Sequence, residues 1–200
     1  GRLASNYLKI NKLHKNKKTE LKILTPWPGC MKSILNGKKE WKKYWDKSNN
    51  FRMFDLATIK NKNIFIHGRT DDVINIRGHR IGSEEIESTV LKIKEIYECC
   101  AISIVNDLEG HIIYLFVVSK NDKINNLISN KIVSNFGSFA LPKEIYYLSE
   151  LPKTRSGKIL RRLLRTILIN PKSKSYGDLS TMLNSKIIHK IKKKVINNVQ

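Results

Sequence analysis

Two apolar segments constrain the fold most: Cys99 to Val105 and His111 to Val118, separated only by Asn106-Asp107-Leu108-Glu109-Gly110. Both are dense in β-branched and aromatic residues, which pack well on a pleated surface. The short turn-forming stretch between them predicts an antiparallel hairpin with a longer loop. Within the second segment, Ile112 to Val118 is the longest unbroken apolar run, and seven residues are too few to cross a bilayer. Cys99 and Cys100 are adjacent, so in a strand their side chains face opposite ways.

Other elements arrange themselves around this hairpin. Leu21-Lys22-Ile23-Leu24 reads as a short strand, stopped by the rigid turn Thr25-Pro26-Trp27-Pro28-Gly29. Residues 38–50 place Trp41, Tyr44 and Trp45 three and four apart, as on one helix face. That aromatic set is expected to dock on a larger body rather than to stack on bases. Ile64-Phe65-Ile66 and Val73-Ile74-Asn75-Ile76 read as strands. Ser83 followed by Glu84, Glu85 and Glu87 predicts a helix start with Ser83 as N-cap, and Ile86, Val90 and Ile93 form its apolar face. Ile124, Leu127, Ile128 and Ile132 have helical spacing. Glu144 to Leu148 returns as a strand. Ile159 to Ile169 is an amphipathic helix with Leu160, Leu163, Leu164, Ile167 and Leu168 opposed to Arg161, Arg162 and Arg165. From residue 72 to 169 the order is strand, helix, hairpin, helix, strand, helix, a pattern that predicts a small α+β domain of about 100 residues. The stretch Lys186 to Lys194, five lysines around Ile187, Ile188 and Ile191, fits either a helix or a frayed basic end.

Charge raises a different possibility. The chain carries 38 Lys+Arg against 17 Asp+Glu, a formal net charge of 38 − 17 = +21. Each cation that neutralises a phosphate releases a counterion, so a nucleic-acid partner must be weighed. However, 29 of the 38 cations are Lys, and they accompany 19 Asn and 27 Ile, the pattern of an A/T-rich coding sequence. The lysine excess is therefore read as compositional drift that favours loose binding to any polyanion. Cys30, Cys99 and Cys100 are odd in number and show no C-x-x-C spacing, so no zinc site can be assembled, and a reduced, cytoplasmic compartment is expected. The segment Gly1-Arg2-Leu3-Ala4-Ser5 has no apolar signal-peptide core. It also lacks an initiating Met, which leads to the expectation of a partial chain.

Three places carry groups suited to chemistry. Gly68-Arg69-Thr70-Asp71-Asp72 is followed by Arg77-Gly78-His79-Arg80-Ile81-Gly82, where glycines let the backbone turn and Arg69 and Arg80 can fork onto phosphate or hydroxyl oxygens. Pro152-Lys153-Thr154-Arg155-Ser156-Gly157-Lys158 is a flexible cationic loop before a helix. Asp55, read in a turn before the Ile64 strand, can accept two hydrogen bonds from adjacent ribose hydroxyls. Gly157-Lys158 is not the end of a P-loop, because the earlier glycine position is Pro152 and the next residue is Ile159.

In this order, Gly68-Arg69-x-Asp71-Asp72-Val73-Ile74-Asn75, Gly78-His79-Arg80-Ile81-Gly82-x-x-Glu85-Ile86-Glu87 and Leu151-Pro152-Lys153-Thr154-Arg155-Ser156-Gly157-Lys158-Ile159-Leu160-Arg161-Arg162 resemble the C-terminal part of AMP-forming acetyl-CoA synthetases and their propionyl-CoA relatives. Pro26-Trp27-Pro28-Gly29 and Tyr176-Gly177-Asp178-Leu179-Ser180-Thr181 resemble that family too, so the likeness spans roughly residues 20 to 185. It implies ligase chemistry: an acyl-adenylate is made from ATP and a short acid, with Mg2+, and the acyl group then passes to coenzyme A. It also implies a division of the chain. Residues 1–70 are expected to be the end of a large β-rich domain, residues 71–170 a small mobile C-terminal domain, and residues 171–200 a basic extension. A missing N-terminal domain, carrying the phosphate loop and the acyl pocket, is the expected partner, beside the small-molecule substrates. No membrane is expected, and nucleic acid only non-specifically.

Residue by residue, the resemblance matches Lys158 to the adenylation lysine and Asp55 to the ribose carboxylate. It matches Arg69 and Arg80 to the phosphate-side arginines, and Asp71 to the hinge. Gly78 and His79, with Arg77 beside them, match the coenzyme A loop. Three positions depart from the pattern. Phe54 stands where acetyl-type members have Gly, as in the propionyl-type branch. Arg77 stands where they have Ser. Val133 stands where the coenzyme A arginine falls, leaving Lys131 as the nearest cation. The alternative function is a non-catalytic remnant acting as a basic nucleic-acid-binding module.

Overall fold

In the computed structural model, the described residues are 8–24, 27–108, 110–173, 175–177 and 179–197, with Asp71 described in its backbone alone. Of the sequence expectations, the Gly1–Ser5 segment, Thr25 and Pro26 of the first turn, Glu109 of the hairpin loop, Asp178 of the late motif and the side chain of the hinge residue Asp71 lie outside the described residues. The chain divides into two compact units, residues 1–73 and 74–200.

The first unit is a three-stranded antiparallel sheet of β1 (Thr19–Ile23), β2 (Phe51–Lys60) and β3 (Asn63–Arg69), in that order. Asn61 and Lys62 join β2 to β3 with φ of 51° and 63°, the two-residue turn whose twist matches that of paired strands. Leu13, Leu21 and Ala57 form its small core, with Ile10, Met53, Ile59 and Ile64 packed against them. The expected helix over 38–50 is only α1 (Lys38–Lys43). It ends because its aromatic residues serve a cluster instead. Trp45 bridges to Phe51, Tyr44 stacks on Phe51 at 5.7 Å, and Trp41 meets Trp45 edge-on at 5.4 Å. Asp46 then closes the turn to β2: its carboxylate accepts from Lys22 and from the backbone of Ser48 and Asn50. Led by the Lys22 ammonium, these donors hold Asp46 well below the usual carboxylate range.

The second unit is α+β. Its sheet contains β4 (Val73–Ile76), β5 (His79–Gly82), β6 (Ile96–Asn106), β7 (Gly110–Ser119) and β8 (Glu144–Leu148). The hairpin is present as β6–β7, in continuous antiparallel register from Glu98↔Val118 to Asn106↔Gly110. On the other edge of β7, Ile76 of β4 sits opposite Gly110, and β8 runs parallel along Tyr114–Val118. The central strands are covered on both faces, which explains their unbroken apolarity. Cys99, Ala101, Ile113, Leu115 and Val117 face α2 (Ser83–Val90) and α3 (Asn125–Phe136). Cys100, Ile102 and Phe116 face α4 (Arg161–Ile169) and α5 (Lys186–Asn197). The two cysteines do lie on opposite faces, and burial pushes the Cys99 thiol well up.

Two local expectations are corrected. Ser83 is the first helical residue and Gly82 the cap, and the Glu85 carboxylate accepts the Gly82 N–H at 3.0 Å, the half of a capping box that an N3 acid makes. The basic tail is helix α5, ordered by packing: Ile187, Ile191 and Val195 recur every fourth residue and are all buried. No helix among the described residues is long and apolar enough to cross a membrane.

Candidate functional site

The candidate residues fall on both units, and each group is described within its own. In the first unit Asp55 lies inside β2, not in a turn, and is paired across the strands with Arg69 near the end of β3. A register shift between Asp55 and Ala57 marks a bulge there, the device that re-aims a side chain on a strand. The residue before it, Phe54, has φ of 62°, a conformation that favours glycine. Holding a phenylalanine there costs about 1–3 kcal/mol. Its ring is held in return by two guanidinium groups, Arg52 at 4.6 Å and Arg69 at 5.8 Å, and by Tyr44 edge-on at 5.5 Å. Arg52 is itself fixed by both oxygens of Glu20, at 2.9 and 3.2 Å. The aromatic floor under Arg69 is a feature the sequence reading missed, although Phe54 was noted as a departure.

In the second unit Arg77 and Gly78 form the two-residue turn between β4 and β5, with φ of 48° and 86°. A Cβ on Gly78 would meet nothing within 4 Å, so glycine is needed there for its backbone conformation. His79 and Arg80 follow on β5, both exposed. His79 stacks on Phe139 with ring centroids 4.1 Å apart. Beside Phe139 lies an open cavity of about 320 Å³, lined by His111, Lys143 and apolar residues of β4 and β7. Val133 is exposed on α3 and Lys131 is partly buried on the same helix.

The Lys158 segment differs from the flexible loop expected. It is a tight turn in which the Thr154 N–H donates to the Lys158 carbonyl at 2.9 Å, the Gly157 N–H to the Thr154 carbonyl at 2.9 Å, and the Lys158 N–H to Thr154 Oγ1 at 3.1 Å. Gly157 has φ of 84°, and again a Cβ would meet nothing, so conformation is its reason. The flanks of the turn are tied to β6. Before it, Lys153 Nζ reaches Glu98 Oε1 at 2.6 Å. After it, Arg161 forks onto Glu87, with Nη1 on Oε1 and Nη2 on Oε2 at 2.7 Å. Glu87 also accepts the Ala101 N–H at 2.7 Å, and Arg161 donates to the Ala101 carbonyl at 3.3 Å. Thus Arg161 is not on the solvated face of its helix, and Glu87 is not merely a first-turn acid. Their spacing of 74 residues hid the pair. Lys158 itself is exposed, and among the described residues of its unit its ammonium has no hydrogen-bond or ion-pair partner.

The second unit thus presents an exposed ammonium on a restrained turn, and the first, by itself, a carboxylate paired across the strands with an arginine that lies over an aromatic ring. Residues 85–158 match the sequence family described as the AMP-binding enzyme C-terminal domain. Over those residues the chain is similar to that domain. Along most of its length it is similar to the C-terminal part of acetyl-coenzyme A synthetases. The enzyme of that name from Coprinopsis cinerea is 37% identical over 187 residues, covering 88% of this chain. The one from Penicillium chrysogenum is 34% identical over 176 residues. This chain spans 28% and 26% of those two relatives' own lengths. Among solved structures, the acetoacetyl-CoA synthetase of Streptomyces lividans superposes over 96% of this chain and 31% of its own, with a TM-score of 0.73 at 19% identity. ATP-bound MatB of Rhodopseudomonas palustris covers 80% of this chain and 32% of its own, with a TM-score of 0.69 at 20% identity. These two show the fold.

Proposed function

We propose that this chain is the C-terminal portion of an AMP-forming short-chain acyl-CoA synthetase. In this reading ATP, a short acid (acetate or propionate) and coenzyme A become acyl-CoA, AMP and pyrophosphate through an acyl-adenylate. The observation that carries the reading is Lys158: an exposed ammonium on a turn restrained from both sides, at the end of the matched domain.

The first unit is the end of the large adenylate-forming domain, the second is the mobile domain, and Asp71 is the hinge. Asp55 accepts the ribose hydroxyls. Arg69 and Arg80 answer the phosphate charge with forked donors. When the acid's carboxylate attacks the α-phosphorus, two anions approach and charge builds on the phosphorus oxygens. Lys158 stabilises that charge and orients the carboxylate. Gly78 shapes the turn by which coenzyme A enters, with His79 and Arg77 on either side. Arg77 supplies a further cation there, and Lys131 is the cation nearest to the position that Val133 occupies. Among the described residues no three His, Cys, Asp or Glu side chains are grouped to hold a metal ion, so no step is assigned to Mg2+ within this chain. The free cysteines suit a reducing, cytoplasmic setting.

The test is direct. The protein that carries this chain is incubated with ATP and acetate or propionate, and the adenylate is trapped. Adenylate formation with one of the two acids, followed by thioester on adding coenzyme A, is expected. Failure with both acids in a folded protein contradicts the reading.

A further inference from the structure

The tail beyond residue 170 was expected to be an extension, yet its main chain is bonded to the Lys158 turn. The Arg155 N–H donates to the Thr181 carbonyl at 2.9 Å, and the Leu183 N–H donates to the Lys153 carbonyl at 2.9 Å. Thr154 and Met182 form an antiparallel bridge between these bonds. Residues 181–183 are thus a short extra strand laid along the entry to the turn. Asn184, the next residue, works in two directions. Its Nδ2 donates to Glu150, just upstream of the turn, and its Oδ1 accepts the Lys186 N–H at 3.1 Å, at the start of α5. Helix α5 is in turn seated by Ile187, Ile191 and Val195 in the core it shares with Leu163, Leu164 and Ile167 of α4. Met182 is buried in the same core, while Leu183 is 67% exposed.

We propose that residues 181–184 are a positioning strand for Lys158, anchored by α5, so that docking of the tail sets where the ammonium is presented. The physical argument is one of restraint. A glycine-containing turn with three exposed residues before its lysine samples many conformations when tied only at its ends, and ordering it costs about 1–2 kcal/mol per residue. The cross-strand bonds at Lys153 and Arg155 meet that cost in the folded state, before any substrate binds. A preordered ammonium loses little further entropy when charge develops opposite it. Leu183 and Asn184 touch no reacting group, so they are positioning residues and not catalytic ones.

The role in adenylation rests on the function proposed above; the restraint of the turn does not. The test compares Leu183→Pro, which removes the donor to Lys153, with Leu183→Ala, which keeps it, in the full chain. Amide hydrogen exchange is followed at Arg155, Gly157 and Lys158, with β6 amides as the internal reference. Leu183→Pro is expected to speed exchange at the three turn amides about tenfold, the effect of losing one main-chain hydrogen bond, while β6 and the Ala variant stay as in the parent chain. If Leu183→Pro loosens β6 as well, Asn184→Ala takes its place and must give the same turn-selective increase. Unchanged exchange at the turn overturns the inference. In the protein that carries the chain, the same variant is expected to lower kcat of adenylation with KM for ATP unchanged, and to leave acyl transfer from supplied adenylate intact. A wild type that makes no adenylate, with the exchange effect present, contradicts the function and leaves the positioning strand standing.

Discussion

Two short cationic turns of the second unit, Arg77-Gly78 and Thr154–Lys158, look alike in sequence and are held in opposite ways. Each places a glycine at positive φ next to a basic side chain. The Arg77 turn is a two-residue connection between β4 and β5, with its non-glycine residue also in the left-handed region. The Lys158 turn is fastened by a cross-turn pair of bonds, an ion pair on either flank and a third strand from the tail. The difference teaches that restraint is concentrated at the turn that carries Lys158, which the proposed function would have meet a developing charge. The Arg77 turn, which the same proposal gives to coenzyme A, is a two-residue connection followed by the His79–Phe139 stack.

That contrast can be broken at its strongest point. Glu87→Ala leaves the Arg161 guanidinium half-buried without its carboxylate and the Ala101 N–H without its acceptor. Loss of one partner of such a pair costs about 3–5 kcal/mol. Urea unfolding of the second unit measures it. A loss below about 1 kcal/mol would mean that the pair is a surface ornament. The contrast can be sharpened at its weaker point. Arg77→Asn substitutes a residue that tolerates the left-handed region beside Gly78, so the turn keeps its conformation. The same variant removes a cation from the proposed coenzyme A entrance, so KM for coenzyme A rises while adenylation is unaffected. An unchanged KM for coenzyme A would contradict the placing of Arg77 at that entrance.

The hairpin, β8 and the amphipathic helices could be read from the chain because period and turn chemistry are local. What could not be read depends on partners far away. Strand β2 was overlooked because Phe51-Arg52-Met53-Phe54-Asp55 lacks clean alternation, and its bulge and left-handed Phe54 break the period at the site itself. Strand β5 was hidden because His79 and Arg80 are polar, and only its pairing with β4 makes it a strand. The Lys153–Glu98 and Arg161–Glu87 pairs join residues 55 and 74 positions apart, with no local signal at either end. The Lys158 segment was read as flexible from its composition, since Ser, Gly and cations usually mean solvated chain. Its cross-turn bonds, the ion pairs on its flanks and its main-chain bonds to the tail, which composition had marked as drift, gave no local signal.

Lys158 itself provides the most direct test. In the protein that carries this chain, Lys158→Ala is assayed for both half-reactions: adenylate formation from ATP and acid, and acyl transfer to coenzyme A from supplied acyl-adenylate. Adenylation is expected to fall about 10²–10³-fold, the usual effect of deleting a donor aimed at developing charge, while acyl transfer stays within about twofold, far below that effect. An equal loss in both half-reactions, or none in the first, would contradict the assignment of Lys158.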